Sequence, residues 1–168
     1  NEPRETGVLP SPLIRASALQ DVSVPFVDAA GFAGNLPDLQ ENAVGGGFFD
    51  APVIDADGVF RRAPLVQKYQ GDLYPSLALA VAHVVTGAPE VSLSFAPGDR
   101  LSGIELEHLM LGSQPIPVNE QVAVYIPYRG PQESFAFISA KDVLTGSVPQ
   151  ASLEGKIALL GASAAGLL

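Results

Sequence analysis

Glycine and proline interrupt this chain at short intervals and limit what it can fold into more than any other feature. The 168 residues include 17 glycines and 15 prolines, well above the combined share of about 12% in average proteins. Because these two residues are the strongest breakers of regular structure, a bundle of long helices is disfavoured. The hydrophobic share of 47% still argues for a chain with a buried core.

The composition excludes several classes of function. The sequence contains no cysteine, which rules out disulfide bonds, thiolate zinc sites, iron–sulfur clusters and a cysteine nucleophile. The formal net charge is −9, whereas binding to nucleic acid or anionic lipid depends on clustered Lys and Arg. We therefore expect no nucleic-acid partner and no docking on an acidic membrane surface.

The sequence divides at about residue 43 into two regions of different character. Residues 1–43 contain five prolines and little periodicity, which predicts a lead or connecting segment that packs on a body. In residues 44–168, short apolar runs alternate with turn residues, which predicts the folded body on which the first segment packs. A connection of this length is uncommon within one compact domain, so we expect an incomplete domain that associates with itself or with a missing N-terminal half. No apolar run reaches the roughly 18 residues that a membrane span requires.

Turn residues separate short apolar runs in the second region. Asp57-Gly58 predicts a β-hairpin turn, Gln70-Gly71 predicts another turn, and Pro75 with Gly87 frames a helix. This helix, over residues 76–86, is apolar nearly all round and should be buried on several sides. A second helix is predicted over 140–145 and strands over 91–95, 116–118, 122–126, 135–138 and 157–160, while 104–110 fits either type. Together these elements indicate an α/β fold with a mixed β-sheet, a β-hairpin and two to three helices.

Two aspartates and two arginines surround the predicted turn at Gly58. Asp55 and Asp57 resemble the start of a calcium loop, but Val, Phe and Val occupy the later positions that an EF-hand requires. Arg61 and Arg62 would face opposite sides of a strand. We interpret the cluster as a structural motif in which the inward arginine pairs with an aspartate, with an anion clamp as the functional alternative.

No recognisable catalytic or metal-binding set is present in the sequence. His83 lies in the apolar helix and is typical of a hydrogen-bonded core residue, and His108 lacks the second histidine of a metalloprotease helix. The loop from Gly161 through Ser163 only loosely resembles a nucleophile elbow. We predict no catalytic residue, no metal and no cofactor.

Four segments, taken in their order and spacing, carry a family resemblance. They are Asp55-x-Asp57-Gly58-Val59-x-Arg61-Arg62-x-Pro64-Leu65, Tyr74-Pro75-Ser76-Leu77-Ala78-Leu79-Ala80, Ile126-x-Tyr128-Arg129-Gly130-Pro131, and Leu153-x-Gly155-Lys156-Ile157 to Gly161-Ala162-Ser163-Ala164-Ala165-Gly166. Over about residues 44–168 the set resembles the C-terminal portion of the type-two CHASE domain. That domain is an extracytoplasmic sensor attached to bacterial adenylate or guanylate cyclases, histidine kinases and other outputs.

The resemblance implies a non-catalytic sensor module on the periplasmic or extracellular face of a bacterial inner membrane. Membrane spans would then lie in the parent protein, with a cytoplasmic output such as a cyclase. The signal would be an unknown small molecule or protein. Two alternatives stay open: a small hydrolase or transferase with part of its site in a missing N-terminal region, and a structural dimerisation module.

A contact site for the signal is predicted from two loops that follow apolar strands. If strands 122–126 and 157–160 are parallel neighbours, the loops after them lie at the same edge of the sheet, where α/β proteins bind ligands. Tyr128 and Arg129 in the first loop and Ser163 in the second are then the candidate ligand-binding residues. The alternative is a structural ion pair of Arg129 and tight packing of the small residues.

Overall fold

The computed structural model describes residues 4–19, 24–50, 53–96, 105–131 and 134–162. The chain divides into two compact units, Asn1–Pro127 and Tyr128–Leu168. Ten strands and three α-helices occur in the described ranges, so the predicted α/β class with a mixed sheet is confirmed. None of the helices in those ranges is long and apolar enough to cross a membrane.

A β-hairpin lies at the centre of the first unit. Strands β5 (Val66–Tyr69) and β6 (Asp72–Pro75) pair antiparallel across the predicted turn at Gln70 and Gly71. Both turn residues have positive φ, 50° and 90°, the combination that suits a two-residue hairpin with right-handed twist. Strand β2 (Val27–Asp28) adds to β5 in parallel, which makes this three-stranded sheet mixed.

Three further sheets complete the pairing of the described strands. Short strands β1 (Glu5–Thr6) and β3 (Phe32–Ala33) pair in parallel. Strands β4 (Arg62–Pro64) and β10 (Ala123–Tyr125) pair antiparallel. The third sheet is an antiparallel meander of β7 (Val91–Ala96), β8 (Glu105–Leu111) and β9 (Gln114–Pro117), so the segment that fitted either type is a strand.

Two of the helices belong to the first unit. Helix α1 (Pro37–Glu41) begins with proline in its first turn. Helix α2 (Leu77–Val85) begins where predicted, because the Ser76 hydroxyl accepts a hydrogen bond from the amide of Leu79. The expected burial of α2 on several sides is wrong: Leu79 and Ala80 are buried, whereas Leu77, Val84 and Val85 are exposed.

The hydrophobic core joins the central hairpin, α2 and the meander. Fully enclosed members are Val66, Leu73, Leu109 and Val122, each with 0% of its surface exposed. Phe26 belongs to the same cluster, and the N-terminal segment also supplies β2 and a backbone bridge from Ile14 to Leu73. Residues before 44 therefore help to build the core as well as to cover it.

The second unit contains helix α3 (Ala140–Leu144), which confirms the predicted helix near these residues. The Ser139 hydroxyl caps it by accepting from the Lys141 amide at 3.3 Å, and Gly146 follows with a φ of 69°. The strands predicted over 135–138 and 157–160 are wrong, because both segments are irregular. A strand needs a hydrogen-bonding neighbour, and an apolar run alone does not supply one.

Candidate functional site

A cavity of about 560 Å³ opens beside the central hairpin in the first unit. Its floor is one face of β5 and β6. Gln67 stands opposite Tyr74 in the antiparallel register, and Tyr69 lies two residues further along β5, so these side chains share a face. The opposite face carries Val66 and Leu73 into the core. The hairpin thus separates the core from the pocket.

One wall is the segment 29–35, which includes β3. Backbone hydrogen bonds hold it at both ends: the Ala29 amide donates to the Lys68 carbonyl at 2.8 Å, and the Gly34 amide donates to the Thr6 carbonyl at 2.7 Å. Gly34 has to be small, since a Cβ there would lie 2.4 Å from the Val8 carbonyl oxygen. The wall therefore depends on close backbone packing against the N-terminal strand.

The facing wall is the segment 46–50, which docks on the start of α2. The Phe48 amide donates to the Pro75 carbonyl at 3.0 Å, and the Leu77 amide donates to the Phe48 carbonyl at 2.7 Å. A Cβ on Gly47 would lie 2.6 Å from the Leu77 nitrogen, so only glycine allows this approach. Docking of the backbone fixes the position from which Phe49 and Asp50 line the pocket.

Two polar interactions organise the floor of the pocket. Gln67 is only 6% exposed, and its amide Nε2 donates to Asp50 Oδ1 at 3.0 Å. The Tyr69 hydroxyl donates to Glu5 Oε1 at 2.5 Å and accepts from Gln70 Nε2 at 2.9 Å. Buried polar groups need such partners. Here Asp50 comes from the facing wall, Glu5 from β1 and Gln70 from the hairpin turn.

Three aromatic rings line the floor and the adjoining wall of the pocket. Phe32 meets Tyr69 edge-on at 5.4 Å between ring centroids, and Tyr69 lies 6.4 Å from Tyr74. The hydrogen bond to Glu5, followed by burial, raises the pKa of Tyr69 above its ordinary value. Burial and the nearby Asp72 carboxylate raise the pKa of Tyr74. Both phenols are therefore neutral hydrogen-bonding groups at physiological pH.

The aspartates and arginines near Gly58 form one cluster of ion pairs, in which both arginines take part and not the inward one alone. Arg61 binds Asp57 through two hydrogen bonds of 2.6 and 2.8 Å and reaches Asp55 at 3.2 Å. Arg62 binds Asp55 through Nε and Nη2. These hydrogen bonds to arginine are the main cause that lowers the pKa of both carboxyl groups.

The turn inside this cluster forms, but the hairpin predicted around it is wrong. Gly58 has a φ of 79°, its amide donates to the Asp55 carbonyl at 2.8 Å, and Asp57 Oδ1 accepts from the Val59 amide. The described residues 53–56 directly before the turn form no strand, and β4 starts only at Arg62. The ion pairs of the two arginines with Asp55 and Asp57 therefore stabilise the loop, where a hairpin would have hydrogen bonds between two strands.

Comparison with known proteins identifies the family of this fold. The model of the CHASE2 domain matches residues 10–168, nearly the whole chain. The chain belongs to the CHASE2 family. Members of this family are extracytoplasmic sensor domains. No curated protein and no solved structure shows significant similarity to the chain.

The matched range of the CHASE2 domain is wider than the resemblance in the sequence. It starts at residue 10 and so includes most of the segment that the sequence separates as a lead. Phe26 and β2 lie in this added range and contribute to the core and to the central sheet. Val22, Val24 and Phe26 alternate along the sequence, a short strand-like pattern that the interpretation of residues 1–43 as a connecting segment left out.

The contact residues predicted from the sequence lie away from regular structure in the CHASE2 domain. Tyr128 and Arg129 are exposed in an irregular loop at the start of the second unit. Ser163 falls outside the described residues. The strand predicted over 122–126 is formed as β10, but it pairs antiparallel with β4, and residues 157–160 form no strand. The two loops therefore do not follow neighbouring parallel strands.

The pocket itself was missed by sequence reasoning, and one signal of it was present. That signal is a polar glutamine between the strand-forming residues Val66 and Tyr69. Only the structure shows that Gln67 is buried, so that the second face of β5 is covered as well. His83 has the predicted hydrogen-bonding partner, since its Nε2 is 2.8 Å from the Pro89 carbonyl oxygen, but it is half-buried and lies outside the core. In the ranges that the structure describes, no group of three or more metal-ligating side chains comes together.

Proposed function

We propose that this CHASE2 domain is the signal-receiving part of a bacterial transmembrane receptor. In this proposal it lies on the periplasmic face of the inner membrane and regulates a cytoplasmic output domain, an adenylate or guanylate cyclase or a histidine kinase. The family match over residues 10–168 carries the proposal. The pocket beside the hairpin supports a small-molecule signal, because a volume of about 560 Å³ is in the range that small-ligand sites occupy.

The proposed location is testable with a single cysteine. The chain has no cysteine of its own, so Ser113→Cys in the exposed turn between β8 and β9 introduces one unique thiol into this domain. In the full-length receptor, a membrane-impermeant maleimide should label this thiol in cells with a permeable outer membrane and an intact inner membrane. The unsubstituted receptor is the control for background labelling. Labelling that requires disruption of the inner membrane would contradict the location.

The proposed coupling is testable in membranes that contain the full-length receptor. Val66→Asp places a charge in the core and should unfold the domain. Cyclic-nucleotide synthesis and autophosphorylation are then compared with those of the unsubstituted receptor at equal abundance. A change in one of these outputs is expected. If both outputs are unchanged, the domain does not regulate them.

The chain itself is proposed to have no catalytic activity, in keeping with a family of sensor domains. The measurement is a screen of the purified chain with esterase, phosphatase and glycosidase substrates. Turnover that disappears when one described side chain is changed would favour the hydrolase alternative instead.

Self-association is a further part of the proposal. Large apolar side chains are exposed in the first unit, among them Leu39, Val44 and Phe49, and surfaces of this kind commonly mediate association. Sedimentation of the purified chain over a range of concentrations should show a dimer or higher species. A monomer at all concentrations would contradict it.

A further inference from the structure

We propose that the pocket beside the central hairpin binds a small organic monocation, an amine or quaternary ammonium group attached to a compact apolar body. The proposal deepens the proposed sensor function by naming the chemical class of the signal. It rests on three features of the described lining: its charge, its aromatic rings and its size.

The charge of the lining favours a cation. Asp28 and Asp50 are the charged residues among the described side chains that line the pocket, and the described lining includes neither Lys nor Arg. Lys68, just outside it, pairs with Asp28 at 3.2 Å and neutralises that carboxylate. Asp50 is held by the uncharged amide of Gln67 and has no ion pair with a described residue. One negative charge therefore remains, which suits a single positive charge on the ligand.

The rings of the lining favour the same ligand. Phe32, Tyr69 and Tyr74 line the pocket together, and Tyr69 contacts both of the others. Aromatic rings attract cations through the negative potential of their faces and accept apolar groups as well. The hydrogen bond of Tyr69 to Glu5 places a further carboxylate next to its hydroxyl group. An anionic ligand would face repulsion from Glu5 and from Asp50.

The size of the cavity limits the ligand to a small molecule. Its volume of about 560 Å³ falls within the roughly 300–1,000 Å³ of small-ligand pockets. Backbone contacts hold both walls in place: Gly47 packs on the start of α2, and Gly34 packs on Val8. The pocket is thus largely formed before a ligand arrives.

The test compares three probes that share a benzyl group and differ in charge. Isothermal titration of the purified chain is carried out with benzyltrimethylammonium, benzyl alcohol and phenylacetate. The cation should bind most tightly, and its affinity should fall as ionic strength rises, because salt screens the attraction to Asp50. Equal binding of the three probes, preference for the neutral or anionic probe, or no binding of the cation would overturn the proposal.

Two substitutions assign the binding to this pocket. Asp50→Asn keeps an oxygen acceptor for Gln67 and removes the charge, so the affinity for the cation should fall about fivefold while the affinity for benzyl alcohol stays the same. The matched control is Glu120→Gln, an exposed carboxylate outside the lining, which should leave both affinities unchanged. Unchanged affinity of Asp50→Asn for the cation would overturn the assignment.

A second variant covers the case in which Asp50→Asn does not fold, as judged by circular dichroism. Phe32→Leu removes a ring and keeps an apolar side chain. It should lower the affinity for the cation more than the affinity for benzyl alcohol. Equal weakening of both probes would contradict the proposed role of the ring. Cation binding by the chain without any effect on receptor output would support the binding site and contradict the sensor function.

Discussion

The Tyr69 hydroxyl donates a hydrogen bond to Glu5 Oε1 at 2.5 Å, which joins residues 64 positions apart in the chain. This contact ties the N-terminal strand β1 to the central hairpin, whose Tyr69 lines the pocket. Because the carboxylate and burial both disfavour the phenolate, the pKa of Tyr69 is raised in the folded state. The contribution of this contact to the stability of the domain therefore changes with pH in the alkaline range.

The first prediction concerns this dependence. A phenol with a raised pKa in the folded state adds stability below the unfolded value, and the contribution is lost as the pH rises through the folded pKa. Tyr69→Phe should therefore lower the free energy of unfolding at neutral pH, and the difference from the unsubstituted chain should shrink above about pH 10. Urea unfolding at a series of pH values measures it. The control is Tyr125→Phe, an exposed phenol expected to have little effect.

The second prediction concerns acid stability and the arginine cluster. The lowered pKa of Asp55 means that its carboxylate adds stability above its ordinary value of 3.8, and this contribution is lost as the pH falls through the folded pKa. Asp55→Asn should destabilise the domain more than Asp57→Asn at neutral pH, because Asp55 binds both arginines and is 18% exposed against 55%. Equal unfolding free energies of the two variants would contradict this order.

The third prediction concerns the start of α2. Ser76 is buried, and its Oγ accepts from the Leu79 amide at 3.2 Å. Ser76→Ala leaves that amide without its cap and should cost about 1 kcal/mol of unfolding free energy. Ser11→Ala, at an exposed position, is the matched control and should stay within about 0.5 kcal/mol. Chemical denaturation of both variants decides the point.

The fourth prediction concerns the core of the first unit. Leu109 on β8 has 0% of its surface exposed, so Leu109→Ala removes buried apolar contacts and leaves a cavity, at a cost of about 2–5 kcal/mol. The same change at Leu144, which is 87% exposed, should have a much smaller effect. A thermal melt of each variant shows the difference, and similar melting temperatures would rule out this core assignment.

The fifth prediction concerns the exposed loop at the start of the second unit. Arg129 is exposed and has no ion pair with another described residue, so Arg129→Ala should leave the melting temperature nearly unchanged. In the full-length receptor, the ratio of stimulated to basal output should also stay unchanged, because the proposed signal site is the pocket of the first unit, whose described lining does not include Arg129. An altered ratio in a stable receptor would support the contact site predicted from the sequence. A loss of stability with an unchanged ratio would instead assign Arg129 a structural role.

Local features of the sequence predicted the elements whose interactions stay within a few residues. The turn at Gln70 and Gly71, the start of α2 and the pairing of Asp55 with Arg62 each join residues at most seven positions apart. At this range the backbone preferences of glycine and proline, and the charges of neighbouring side chains, largely decide the outcome. The family resemblance over the same segments is confirmed by the family match.

The sequence by itself thus determined the α/β class, the turns, the helix caps and the ion pairs of neighbouring residues. Only the tertiary structure decided that Phe26 enters the core, that residues 157–160 form no strand, and that Gln67 meets Asp50 and Tyr69 meets Glu5 around one pocket. These contacts depend on which distant segments the folded chain brings together. A strand or a buried polar group acquires its partner only then, so its own residues do not reveal it.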